Sequence, residues 1–210
     1  MKDSAADNLE YERKYLESGY KFIAGVDEVG RGPLAGPVVT CAVIMPLDKD
    51  DIIEGVTDSK KLSEKKRRYL AEKIKEKAIA YKITEISPKE IDEINILEAT
   101  KKSMYNSING LKVTPDVAFI DALKIGSGIL EVPIIKGDFL SYSIGCASIV
   151  AKVYRDDLMV SLDDKYPQYG FKKHKGYGTK VHVDAIKEFG PCEIHRKTFI
   201  KNFWVQKESE

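Results

Sequence analysis

Short apolar runs recur along the chain, separated by clusters of glycine, proline and charged residues. Residues 21–29 and 36–45 are both of β type, and the second run is too apolar to face water on both sides. With residues 30–36 between them, they predict a two-stranded hairpin. Further strands are predicted at residues 81–86, 117–120 and 132–135. The pattern therefore predicts a largely buried β-sheet.

Helical periodicity is clearest over residues 141–162. Apolar side chains recur there at spacings of three and four, and the small residues of 144–151 would let this helix lie close against a sheet. Other helices are predicted at residues 8–18, from Ser63 to about 80, at 88–109 and at 180–189, with a loop rich in tyrosine, glycine and lysine at 163–178. This order of strands and helices is compatible with an α/β fold.

Composition and charge limit the class of protein. Of 210 residues, 43% are hydrophobic and 32% are charged, which excludes a disordered or collagen-like chain. We expect one domain over residues 21–210, preceded by a helical extension at residues 1–20. The net charge is only +1, so bulk charge gives no reason to expect nucleic acid as a partner.

Nothing in the sequence indicates export or a membrane anchor. The first residues lack the apolar core of a signal peptide, and no stretch approaches ~18 consecutive apolar residues. The three cysteines, Cys41, Cys146 and Cys192, show no CxxC spacing, and we expect them to be reduced. These observations predict a soluble, cytoplasmic protein.

Four carboxylates follow the apolar strand patterns and carry the candidate chemistry: Asp27, Glu28, Asp121 and Asp138. If the strand ends meet at one edge of the sheet, these acids converge and repel one another unless cations are bound. Mg²⁺ or Mn²⁺ would relieve the repulsion, and two such ions ~4 Å apart can activate water for attack on a phosphodiester. Taken singly, an acid at a strand end is more often a turn residue or a helix cap.

Glycines flank an arginine directly after the first acidic pair, in Gly30-Arg31-Gly32. Pro33 and then a β-type run follow, rather than a helix, so the strand, glycine turn and helix of a dinucleotide-binding site are missing. A simple glycine-rich hairpin turn remains an alternative.

Several long motifs make the chain resemble the bacterial ribonuclease HII family, the type 2 ribonucleases H. They occur in the family's order at residues 25–39, 58–63, 120–123, 136–138, 147–153 and 174–179. Val29 stands where alanine is common, and Gly145-Cys146 replaces an alanine-rich pair. The chain is too short for the large N-terminal substrate-binding domain of the type 3 relatives.

The resemblance implies a ribonuclease H-like fold, with a mixed five-stranded sheet flanked by helices and a C-terminal helical region that grips the duplex. It implies an endonuclease that cleaves the RNA strand of RNA/DNA hybrids and nicks duplex DNA 5′ of embedded ribonucleotides, leaving 3′-hydroxyl and 5′-phosphate ends. A hybrid-binding protein without cleavage and a related nuclease for branched DNA are the alternatives.

The resemblance also implies roles for single residues. The four acids would bind two Mg²⁺ or Mn²⁺ ions. The backbone of Gly30, Arg31 and Gly32 would read the ribose 2′-hydroxyl, and Tyr177 would pack near the RNA-to-DNA junction. Phosphate contacts are assigned to Ser59 and Lys60. We expect a monomer, find no sliding-clamp peptide at residues 203–206, and assign no role to His195-Arg196.

Overall fold

The computed structural model describes residues 8–204, and a single five-stranded sheet lies at its centre. The strands are β1 (Ile23–Val29), β2 (Val38–Ile44), β3 (Ala80–Ile86), β4 (Val117–Asp121) and β5 (Leu130–Ile134). Their order across the sheet is β3-β2-β1-β4-β5. The β1–β2 and β2–β3 pairs are antiparallel, whereas β1–β4 and β4–β5 are parallel. The predicted mixed sheet and the α/β class are therefore confirmed.

Helices cover both faces of this sheet. Within residues 8–204 they are α1 (Glu10–Glu17), α2 (Glu64–Lys77), α3 (Pro88–Ile94), α4 (Ile96–Asn109), α5 (Gly137–Leu140), α6 (Tyr142–Lys165), α7 (Phe171–His174), α8 (Lys180–Phe189) and α9 (Lys197–Ile200). None of these helices is both long and apolar enough to span a membrane.

Side-chain alternation along β2 explains why its whole length is buried. Cys41 and Val43 pack with α2 and α6 on one face, whereas Ala42 packs with Met104 of α4 on the other. Because successive side chains of a strand point to opposite faces, a strand between two helical layers must be almost entirely apolar. The hydroxyl of its one polar residue, Thr40, lies 2.9 Å from Oγ of Ser103.

A close approach of α6 to β1 sets the position of the sheet's central strand. A Cβ atom built on Gly25 would lie 2.0 Å from the carbonyl carbon of Ser143, so only glycine allows this contact. The small residues predicted to bring this helix against the sheet therefore act together with a glycine on the strand.

Helix starts were predicted well because their caps are local. Ser63 accepts a hydrogen bond from the backbone N–H of Lys66 at 3.3 Å, and Ser141 accepts one from that of Ile144 at 3.2 Å. Each hydroxyl satisfies a backbone donor that has no partner within its helix.

The predicted helix over 88–109 is wrong in one respect, because it is two helices. Asn95 separates α3 from α4 with φ +67°, a left-handed conformation that asparagine tolerates. Its Oδ1 accepts hydrogen bonds from the N–H groups of Leu97 and Glu98, at 2.9 and 3.1 Å, and so starts the second helix. Elsewhere α6 extends to Lys165, and the predicted loop at 163–178 contains α7.

The N-terminal helix packs on the sheet and on the start of α6. Tyr15 lies edge-on to Phe119 with ring centroids 5.0 Å apart, and Glu12 is fully buried. The division of the chain at residue 20 remains a prediction, and residues 205 and 206 of the tail considered for a clamp peptide lie outside the described part of the chain.

Candidate active site

Three acids from two neighbouring strands meet at one edge of the sheet. Asp27 and Glu28 lie near the end of β1, and Asp121 is the last residue of its parallel neighbour β4. One carboxylate oxygen from each lies within 4.8 Å of the other two. Strand alternation alone would separate Asp27 from Glu28, but both carboxylates reach the same edge.

Asp138 lines the same cleft from a different kind of element. The prediction that it ends a strand is wrong, because β5 ends earlier and Asp138 lies in the first turn of α5. Lys136 precedes this helix with a left-handed backbone, and the N–H of Gly137 donates to Oδ1 of Asp121 at 2.8 Å. Burial raises the pKa of Asp138, and the nearby acids Asp58 and Asp121 raise it further.

The cleft has a volume of ≈ 180 Å³ and brings together residues from six segments of the chain. Its lining residues are Asp27, Glu28, Val29, Ser59, Lys60, Asp121, Asp138, Ser148, Lys152 and Tyr177. Ser59 is only 3% exposed, and its Oγ lies 3.0 Å from Oγ of Ser148. Seven of the residues predicted for the site therefore share one cleft, and phosphate binding by Ser59 and Lys60 stays a prediction.

The electrostatics of the cleft oppose ionisation of its acids. Burial, then the carboxylate of Glu28, raises the pKa of Asp27 well above its usual value, against a hydrogen bond from Ser148. Burial also raises the pKa of Glu28, although Nη1 of Arg31 lies 3.6 Å from its Oε1. Desolvated carboxylates that repel one another are costly to keep charged without a counter-ion.

This arrangement fits a divalent cation. The Oε2 atom of Glu28 is buried and has no hydrogen-bond partner within residues 8–204, although such atoms normally have one. Hard divalent ions prefer carboxylate oxygens. Asp27, Glu28 and Asp121 would therefore hold such an ion, which would neutralise their mutual repulsion.

The glycine loop, residues 30–37, connects β1 to β2 and continues directly from the acidic pair. It is longer than a two-residue hairpin turn and has its own tertiary contacts. The N–H of Leu34 donates to the carbonyl of Gly176 at 2.8 Å, and a Cβ atom built on Gly32 would lie 4.0 Å from Cε1 of Tyr177. The loop thus adjoins the 42%-exposed ring of Tyr177, as expected if both contact one ligand.

The family model described as Ribonuclease HII matches residues 24–207. The chain belongs to the ribonuclease HII family. Ribonuclease HII of Caldicellulosiruptor bescii is 55% identical over 195 residues, which are 92% of this chain and 94% of that protein. As a family member, the chain is a divalent-metal-dependent endoribonuclease that acts on RNA/DNA hybrids.

Solved structures of the family agree with the fold. Ribonuclease H2 from Pyrococcus horikoshii matches with a TM-score of 0.73 and 28% identity, covering 87% of this chain and 97% of that one. Ribonuclease HII of Archaeoglobus fulgidus, in its complex with PCNA, matches with a TM-score of 0.74 and 27% identity, covering 89% and 98%. The ribonuclease H-like fold implied by the sequence motifs is confirmed.

Sequence reasoning missed several residues around this ribonuclease HII site. Ser148 and Lys152 line the cleft, and their spacing of four within the predicted long helix could have placed them on one face. Arg155 and Arg196 are fully buried beneath the glycine loop. No sequence signal marks a buried arginine, because charged residues in charged segments normally face water.

Proposed function

We propose that this enzyme nicks duplex DNA on the 5′ side of a single embedded ribonucleotide, in addition to cleaving longer hybrids, and leaves 3′-hydroxyl and 5′-phosphate ends. The observation that carries the proposal is the continuity of Asp27-Glu28 with Gly30-Arg31-Gly32. The residues that could bind metal and the backbone that could contact a ribose lie within six successive positions, 27–32. Recognition and cleavage would then act on adjacent atoms of one nucleotide.

Two divalent ions, Mg²⁺ or Mn²⁺, are proposed as the cofactors. Asp27, Glu28 and Asp121 would hold one ion, and Asp138, which lines the same cleft, would complete a second site with Asp121. When bound, such ions activate water and stabilise the charge of the leaving oxygen. The protein's own contribution is to fix the carboxylates: the N–H of Gly137 holds Asp121, and the N–H of Glu28 holds Asp27.

The ribose would be recognised through the glycine loop and Tyr177. The N–H groups of Arg31 and Gly32 donate to no acceptor within residues 8–204, so they are available to a 2′-hydroxyl. The neighbouring ring of Tyr177 offers a flat surface to the next sugar, where deoxyribose leaves more room than ribose does. Ser59 and Lys60 would contact the phosphates on the other side of the cleft.

A duplex with one ribonucleotide tests this proposal. We expect cutting in Mg²⁺ or Mn²⁺, mapped to the 5′ side of the ribonucleotide, and no cutting of the matched all-deoxy duplex. Asp121→Asn should lower the rate by at least ~10²-fold, since it removes a proposed ligand of both ions. Equal cutting of the two duplexes, or full activity of Asp121→Asn, would refute the proposal.

Two smaller expectations accompany the proposed activity. We propose that the enzyme acts as a monomer, because one chain supplies every residue of the proposed site. We also propose that it acts in the cytoplasm, where a bacterial cell keeps its DNA. Sedimentation of the enzyme with and without duplex checks the first expectation, and a dimer in both states would contradict it.

A further inference from the structure

The two largest fully buried side chains of the described residues are both arginines, Arg155 and Arg196. Burial lowers their pKa values, to about 10 and about 9 respectively, so both remain charged at neutral pH. Neither has a carboxylate within 4.0 Å among residues 8–204. A buried charge without an ion partner must be compensated by other polar groups.

Arg196 is compensated by carbonyl groups of the glycine loop. Its Nη2 donates to the carbonyl of Gly30 at 2.6 Å, and its Nη1 donates to that of Arg31 at 2.9 Å. Nε and Nη2 both donate to the carbonyl of Gly36, at 3.0 and 2.8 Å. One guanidinium thus holds both ends of the loop, and only the planar fork of arginine offers donors in this arrangement.

Arg155 holds the same loop from α6 and connects it to the segment that carries Tyr177. It donates to the carbonyls of Ala35 and Pro37, each at 3.0 Å, and to that of Lys175 at 3.0 Å. A Cβ atom built on Gly30, whose φ is +93°, would lie 2.2 Å from Nε of Arg155. The loop therefore rests directly on this guanidinium, and glycine is required there.

The contacts of Arg196 determine where the amides of the loop point. In a planar trans peptide, the N–H points opposite to the C=O of the preceding residue. The carbonyls of Gly30 and Arg31 point at the buried Arg196, so the N–H groups of Arg31 and Gly32 point to the other side of the loop. Neither of these N–H groups has an acceptor among the described residues, and both belong to the exposed positions of the loop.

We infer that Arg196 is a positioning residue for ribose recognition, which orients the amides of Arg31 and Gly32 from beneath the loop. Arg155 supports the same loop and fixes its distance from Tyr177. The inference rests on the proposed function, since it assumes that these amides contact the 2′-hydroxyl. It predicts a selective effect: loss of Arg196 weakens the distinction between ribose and deoxyribose more than it weakens binding of duplex DNA.

Affinity measured in the Asp121→Asn background tests this selectivity, because that protein is expected not to cut its ligand. The measured quantity is the ratio of the Kd values for the all-deoxy duplex and for the matched duplex with one ribonucleotide. Arg196→Lys keeps the charge but loses the fork, and we expect it to lower this ratio by about 10-fold, with the all-deoxy Kd changed by less than about 2-fold. Lys197→Met, at an exposed neighbouring position, is the matched control and should leave the ratio unchanged.

The amide signals of Arg31 and Gly32 give a readout without metal or substrate. In ¹H–¹⁵N spectra, Arg196→Lys should shift these signals, whereas Lys197→Met should not. Arg196→Met is a second variant with a larger expected loss, and if it fails to fold, Arg196→Lys carries the test alone.

The outcomes separate the inference from the proposed function. The parent here is the Asp121→Asn protein. If it distinguishes the two duplexes and adding Arg196→Lys leaves the ratio of Kd values unchanged, the inference is overturned and the proposed function stands. If the parent binds both duplexes equally, and the protein with Asp121 intact cuts both equally, the inference and the proposed function are both overturned. A lower melting temperature with an unchanged ratio would make Arg196 merely structural and also contradicts the inference.

Discussion

At the scale of single residues, we expect the acids that would bind metal in the cleft to destabilise the metal-free protein. Asp27 is buried and repelled by Glu28 and Asp121, so its charge destabilises the metal-free protein. We expect Asp27→Asn to raise the melting temperature in chelator by ~2–4 °C, which corresponds to about 1 kcal/mol for a chain of this size. The same variant should lose most of the stabilisation that added Mg²⁺ or Mn²⁺ gives the parent protein. Thermal unfolding with chelator and with excess metal measures both effects.

An acid on the surface provides the control for that experiment. Asp164 is exposed, so Asp164→Asn should leave the melting temperature unchanged in both conditions. If Asp27→Asn instead lowered the melting temperature in chelator, the carboxylate would be stabilising without metal, contrary to the expected repulsion.

At the scale of elements, a buried carboxylate joins α1 to the start of α6. Oε1 of Glu12 accepts a hydrogen bond from Oγ of Ser141 at 2.6 Å and one from the N–H of Ser143 at 2.9 Å. A negative charge at a helix N-terminus also interacts favourably with the helix dipole. Burial raises the pKa of Glu12, so desolvation opposes part of this gain.

We expect Glu12→Ala to lower the free energy of unfolding by about 1–3 kcal/mol, because it leaves buried donors without an acceptor. Glu12→Gln keeps one acceptor oxygen and should lose less. Glu17→Ala, at an exposed position of the same helix, is the matched control. Urea unfolding measures all three variants, and equal values for Glu12→Ala and Glu17→Ala would show that the buried contact contributes nothing.

The strands and helix starts were predictable because their signals are local. Apolar runs mark the strands, and serine hydroxyls at Ser63 and Ser141 mark two helix starts. The break at Asn95 was not predictable, because the residues on both sides of it continue a helical pattern. Asp138 was placed in the right cleft but on the wrong kind of element, since a four-residue helix is too short to show a period.

At the scale of the whole molecule, the site depends on contacts between distant parts of the chain. Gly30 and Arg196 are 166 positions apart, yet they share a hydrogen bond beneath the glycine loop. Asp27, Glu28 and Asp121 could be predicted as a group because their two strands end at one edge of a sheet. The arginines could not, because tertiary packing alone reveals that their partners are backbone carbonyls.

A chain of neutral histidines provides a second connection between the C-terminal segment and Tyr177. His182 Nδ1 lies 2.9 Å from the carbonyl of Tyr177, which can only accept, so this nitrogen carries the proton. Nε2 of His182 must then accept from Nε2 of His195 at 3.0 Å, and Nδ1 of His195 accepts the N–H of Cys192 at 2.9 Å. Each ring has one donor and one acceptor in use, and a proton added to either ring would place two donors face to face.

The stability of the folded protein should therefore fall in mild acid. Burial lowers the pKa values of both His182 and His195 to about 4, from about 6.5 in the unfolded chain. Between these values the unfolded chain binds protons that the folded protein does not, so the free energy of unfolding falls as the pH is lowered from about 6.5 towards 4, by up to ~1.4 kcal/mol per pH unit for each histidine. Urea unfolding in chelator at pH 8, 7, 6 and 5 measures this dependence.

His195→Asn should be less stable than the parent at pH 8, but its free energy of unfolding should change less steeply with pH, because one titrating ring is gone. The acids of the cleft titrate in both proteins and cancel in the comparison, so parallel pH profiles would show that the histidine pair does not limit stability in acid.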